Sequence, residues 1–271
     1  MLEIGVRLAW GESVAKSAQF LKEIRERPEK YFIVHYSSES LYDKTIQGNA
    51  PRITSIVVIH YATGQITSFA IHTVADILNI PKQNVVAQYD TIEAEMLRQF
   101  YDFAAPRAHL FWIHWNMRSV VFGFEHLSHR YEVLTGKKAT DIPVESRINL
   151  NDMLRDKYGD LYVPHKQMPN LIHMQGEMPK DYLTGEQESQ CFANQDYIRM
   201  HLSTISKVQF FAYAIRQMIA GKLKTSAKGI GVMIDRLLDS RANRVTAFTL
   251  SLLSVGSWLI FFALKAPQIM P

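Results

Sequence analysis

Apolar positions along this chain follow two periods in turn, then give way near the C-terminus to a run with no polar period. Residues 31–37 (YFIVHYS), 52–61 (RITSIVVIHY) and 66–72 (ITSFAIH) are rich in β-branched and aromatic side chains and read as strands. Ala62-Thr63-Gly64-Gln65 supplies a glycine-bearing turn between the last two, so 52–72 reads as a β-hairpin. A helical period takes over at 91–105 (TIEAEMLRQFYDFAA), with Met96, Leu97, Phe100 and Phe103 on one face. Residues 109–115 (HLFWIHW) read as a short apolar strand after Pro106. Helices follow over 119–134, closed by Gly136, and over 148–158, stopped at Gly159. An opening amphipathic helix is expected over 14–30, ending near Pro28. Residues 160–181 hold Pro164, Pro169, Gly176 and Pro179 and read as loop or short helical turns. From Thr184 a long helix, with a break, runs through Tyr197 and His201 to Ile219. Strand, hairpin, helix, strand, then helices is an α/β order with a mixed sheet.

The run 245–264 (VTAFTLSLLSVGSWLIFFAL) carries no charge and is bracketed by Arg241, Arg244 and Lys265. About 20 apolar residues are what a helix needs to cross a bilayer, and basic flanks suit headgroups. A single C-terminal transmembrane helix is therefore expected, with a buried core helix as the other reading. Along it Ser251, Ser254, Gly256 and Ser257 form a small, hydroxyl-bearing side. That is either a surface for membrane self-association or a scatter of small residues.

Charge and cysteine usage add an orientation. Arg216, Lys222, Lys224, Lys228, Arg236, Arg241 and Arg244 precede the run, so the large N-terminal part is expected on the cytoplasmic side. No charged n-region with an apolar h-region opens the sequence. The single cysteine, Cys191, fits a reducing compartment. The expected location is the inner (cell) membrane, single-pass, with the N-terminal domain cytoplasmic. The net charge of +4 is modest, and the basic stem is explained by anionic lipid at least as well as by nucleic acid.

Candidate chemistry gathers in two stretches. At the end of 109–115 stand His114, Asn116 and Arg118, with Glu125 early in the next helix; ligand-contacting side chains collect at such strand ends. MHLSTISK offers His201, Ser203, Thr204 and Lys207 at helical spacing. Together they would line a basic, hydroxyl-rich cleft for a phosphate or nucleotide; the alternative is a helix with one wet face. His126 and His129 lack the spacing of a zinc helix and read as helix-surface residues. Cys191 has no CxxC partner, and no GxGxxG, GxxxxGK[ST] or GxSxG motif is present.

IVHYSSES, the hairpin ITSIVVIHYATGQITSFAIH, the helix EAEMLRQFYDFA and IHWNMRSVVFGFEHL resemble, in that order, the DEDD-type 3′–5′ exonucleases of the ribonuclease-H-like superfamily. The resemblance spans roughly 31–217. It implies a ribonuclease-H-like mixed sheet flanked by helices, with metal-binding acids at the first strand's end, after the later strand and on a late helix. Asp-x-Glu falls on Ser37-Ser38-Glu39, keeping one acid. The His-Asn element falls on His114 to Asn116, and the following acid near Phe122-Gly123 or Phe124-Glu125. The late-helix element falls on 197–201 or 203–207, without the Asp. Two-metal cleavage needs several converging carboxylates, and Glu39 with Glu125 are too few; the resemblance therefore implies a degenerate, non-catalytic member.

The expected organisation is an N-terminal helix (1–30), a ribonuclease-H-like soluble domain (31–220), a basic juxtamembrane stem (221–244) and a transmembrane helix (245–264). The expected role is a membrane-tethered sensor or interaction protein with an effector helix, a layout that resembles bacterial antiphage (antiviral) defence effectors. Its partners would be the membrane, nucleic acid or a nucleotide, and a second copy or a partner protein in an oligomer. No cofactor is expected. The alternative is an active membrane-attached exonuclease using Mg and an unconventional acid set drawn from Glu39, Glu93, Glu95 and Glu125.

Overall fold

The computed structural model describes residues 16–40, 50–119 and 121–226. The described residues through Thr225 belong to one compact unit, and the elements below all lie in it. A helix over 16–26 (α1) leads into a single 3-10 turn at Pro28–Lys30. Strands β1 (Tyr31–Ser38), β2 (Ile53–His60) and β3 (Ile66–Ala70) follow, then helices α2 (Ile71–Ile77) and α3 (Tyr89–Ala104). After β4 (Phe111–His114) come α4 (Phe124–Thr135), β5 (Arg147–Asn149) and α5 (Leu150–Tyr158). Helices α6 (Gln167–Gln175), α7 (Gly185–Ala193) and α8 (Tyr197–Ile219) complete the unit.

The class is α/β, with one mixed sheet in the order β3-β2-β1-β4-β5. β1–β2 and β2–β3 pair antiparallel, whereas β1–β4 and β4–β5 pair parallel. β1 is buried along its whole length because both faces are covered. Phe32, Val34 and Tyr36 enter a core with Ile92, Met96 and Phe100 of α3 and Leu127 of α4. The alternate residues meet α8, with His35 against Phe211 and Ser37 against Thr204. Strict alternation across the sheet makes this division.

Several element boundaries depart from the sequence reading. The strand over 66–72 stops at Ala70, because Ile71, Val74 and Ala75 bury at helical spacing in α2. The helix expected from 119 begins at Phe124. Between them the chain closes a tight loop in which Ser119 N–H donates to Phe122 O and Phe122 N–H to Ser119 Oγ. A Cβ on Gly123 would stand 2.5 Å from Ser119 O, so this loop requires glycine. β5 takes residues read as loop and helix start. The long helix from Thr184 is two helices: Thr184 and Gln187 form a capping box on α7, Gln195 turns with φ +57°, and Asp196 caps α8.

His126 is corrected from the helix surface to the core, where it is fully buried. Its Nε2 lies 2.9 Å from Pro51 O and its Nδ1 2.9 Å from Tyr36 Oη, which accepts from Gly123 N–H at 2.8 Å. The carbonyl takes the Nε2 proton, so Nδ1 accepts from the tyrosine. Burial holds this imidazole's pKa down to about 4.

Among the described residues no helix is long and apolar enough to cross a membrane. The run 245–264, with Ser251, Ser254, Gly256 and Ser257, lies outside the described residues.

Candidate functional site

The resemblance implies the first acid pair of a metal centre at the C-terminal end of β1, and hydroxyls fill that place. The β1–β2 register slips between Ser37 and Ser38, pairing Ser37 with Ser55 and Ser38 with Ile53. Thr54 is thereby the extra residue of a bulge, a device that re-aims side chains. Ser37 Oγ lies 2.6 Å from Thr54 Oγ1, 2.9 Å from Ser55 Oγ and 3.1 Å from Thr204 Oγ1 of α8. Ser55 Oγ and Thr204 Oγ1 are 3.1 Å apart, and Thr204 Oγ1 reaches Met200 O at 2.9 Å. All four side chains are buried. Buried polar groups must be paired, and here they pair with one another and with backbone carbonyls, leaving a neutral, closed network.

Ser203 and Lys207 do not join it. Lys207 Nζ donates to Glu188 Oε1 of α7 at 2.6 Å, and Ser203 Oγ donates to the same oxygen at 3.0 Å. Both charged side chains are 6% exposed, and the ammonium also sits 5.4 Å from the Tyr182 ring centre. Lys207 is thus a partner of Glu188 rather than a group open to a ligand. His35, a histidine within the apolar β1, lies between Phe122 and Phe211 with Nδ1 buried and unpartnered. Burial and the nearby Lys207 charge hold its imidazole well below the usual histidine range.

The remaining acids are engaged separately. Glu39 Oε2 accepts from Arg52 N–H at 3.4 Å. Glu93 is buried and takes a two-pronged contact from Arg130, at 2.9 and 2.5 Å, plus Ile53 N–H at 3.0 Å. Burial pushes its carboxyl up against these donors. Glu95 pairs with Arg98 and Glu125 with Arg147. Among the described residues no three His, Cys, Asp or Glu side chains gather to hold an ion.

At the exit of β4, His114, Asn116 and Arg118 do come together. Asn116 adopts φ +53°, a left-handed conformation asparagine tolerates. Its Oδ1 accepts from Asn149 Nδ2 at 3.1 Å and Asn151 Nδ2 at 3.2 Å, and its N–H donates to Asn149 Oδ1 at 3.0 Å. This amide lattice locks β4 to β5 and the start of α5. Arg118 donates to Asp152 Oδ2 at 2.6 Å. His114 is buried, and its Nδ1 accepts Met117 N–H at 3.1 Å, so the ring proton stands on Nε2. Burial, with Arg118 and Arg147 nearby, holds its pKa down to about 3: a neutral imidazole with a fixed donor. Beside it opens a cleft of about 390 Å³ whose lining includes His114, Arg118, Glu125, Arg147, Asn149 and Asp152.

His201 belongs to neither place; its ring stands 5.1 Å from that of His72 on α2. The predicted residues are therefore divided among the β4 exit, the hydroxyl network, the α7–α8 ion pair and the α2–α8 contact. Comparison with family models, curated proteins and solved structures finds no match for the chain.

Proposed function

We propose that this chain is a ribonuclease-H-like binding module without the two-metal chemistry of the exonucleases it resembles. It would be held at the inner membrane by residues 245–264, with its output in that segment. Support for the fold comes from the strand order: an antiparallel β1-β2-β3 hairpin meander with β4 and β5 joined parallel on the far side of β1. The hydroxyl network around Ser37 carries the functional reading. Mg²⁺ depends on carboxylate and phosphate oxygens, and the residues at the end of β1 do not fit it: neutral oxygens bond to one another, while Glu93 and Glu125 are each taken by an arginine.

A sensor needs a cleft rather than a metal centre. The β4-exit cleft is lined by His114 and by Arg118, whose exposed guanidinium is held by Asp152 and would be shared with the phosphate of a nucleotide or of a single-stranded nucleic acid end. Such a ligand, or a partner protein, would set the oligomeric state and so the membrane helix, as in antiphage effectors. The test is incubation of the detergent-solubilised full chain with labelled single-stranded DNA and RNA plus Mg²⁺ or Mn²⁺. No cleavage is expected. Cleavage lost in Glu39→Gln overturns the proposal in favour of a membrane-attached exonuclease.

A further inference from the structure

His72 and His201 are 129 positions apart, on α2 and α8, yet their ring centres lie 5.1 Å apart with the planes tilted by 46°. His72 Nδ1 and His201 Nε2 are both buried and have no hydrogen-bond partner. Two orphaned ring nitrogens in one contact are unusual, since each forfeits hydration without repayment. A neutral imidazole with a bare nitrogen is the form in which histidine ligates metals.

Spacing points the same way. With Zn–N bonds of ~2.0–2.1 Å in tetrahedral geometry, the centres of two coordinating imidazoles stand about 5 Å apart. The supporting backbone is fixed on both sides, by buried Ile71, Val74 and Ala75 on α2 and by buried Met200 and Thr204 on α8. The two imidazoles are the protein ligands, and water completes the shell. Imidazole with water suits zinc, copper or nickel rather than magnesium.

We propose that His72 and His201 form a two-histidine site for a borderline divalent transition-metal ion, clamping α2 onto α8 one turn before Thr204. The site is separate from the β4-exit cleft and stands whether or not the binding-module reading does. It is tested on the untagged full chain in detergent by calorimetric titration with Zn²⁺ at pH 7.5. One saturable site is expected, weakened at least tenfold by His72→Gln or His201→Gln, unchanged by His173→Gln on exposed α6 surface, and retained by His72→Cys, which keeps a ligand. Zn²⁺ bound as tightly by the His72→Gln/His201→Gln double variant, or not saturably bound at all, overturns the proposal. Should these variants not fold, stoichiometric Cu²⁺ on the wild-type chain decides it. Its electron paramagnetic resonance must show coupling to two imidazoles, and coupling to fewer overturns it.

Discussion

A hydroxyl at the end of β1 is a neutral, two-way hydrogen-bonding group, where a carboxylate would demand a cation or a donor set. Ser37, Thr54, Ser55 and Thr204 satisfy one another, each bond worth about 1 kcal/mol net, and carry no charge for any pH to remove. The histidines are different. His114 and His126 are held at about 3 and about 4, below the ordinary 6.5. The unfolded chain therefore binds more protons than the native one between about pH 6.5 and 4. Their contribution is complete above about pH 6.5 and is lost as pH falls, His126 alone accounting for about 3 kcal/mol. His126→Gln breaks the chain from Gly123 through Tyr36 to Pro51. It is expected to lower stability by about 1–3 kcal/mol at pH 8, and its deficit should narrow towards pH 4. Urea unfolding followed by tryptophan fluorescence across that range checks both, and a constant deficit refutes the assignment.

At the scale of elements, α7 and α8 are joined by a buried ion pair that also uses the hydroxyl of Ser203. Lys207→Met alone strands the Glu188 charge and is expected to cost about 3–5 kcal/mol, whereas Lys207→Met with Glu188→Leu recovers most of it. A double-mutant cycle on urea midpoints measures the difference; equal losses for single and double variants would count against the pairing. These elements also show what was readable beforehand. β1, β2 and the Ala62–Gln65 turn announced themselves because β-branched runs and a glycine are local signals. Gly136 marked the end of α4 for the same reason, since its φ of +68° suits glycine. β5 was invisible: Arg147–Asn149 has no apolar run and is a strand only through pairing with β4. The grouping of His114, Asn116 and Arg118 followed from adjacency in the chain. The partners of Thr204, Lys207 and His201 did not, because each is chosen by a distant element that spacing on one helix cannot reveal. His126 was misplaced for the same reason, its acceptor being the carbonyl of Pro51.

For the whole molecule, the proposed function assigns recognition to the folded unit, whose acids are engaged, and output to the uncharged 245–264 run. Deleting 245–271 is expected to move the chain from the membrane to the soluble fraction and to abolish any toxicity on overexpression while leaving ligand binding intact. Fractionation and growth curves measure this, and retained toxicity refutes the effector role. The bond between Ser37 and Thr204 has a further consequence, in time rather than space. Its partners are 167 residues apart, and synthesis runs from the N-terminus. Through most of translation, β1 and β2 must wait with their α8-facing side bare, Ser37 and His35 among it. The nascent chain is then a sheet lacking one cover, open to chaperones and to aggregation. The last helix to be made before the basic stem is also the one that ends that exposure.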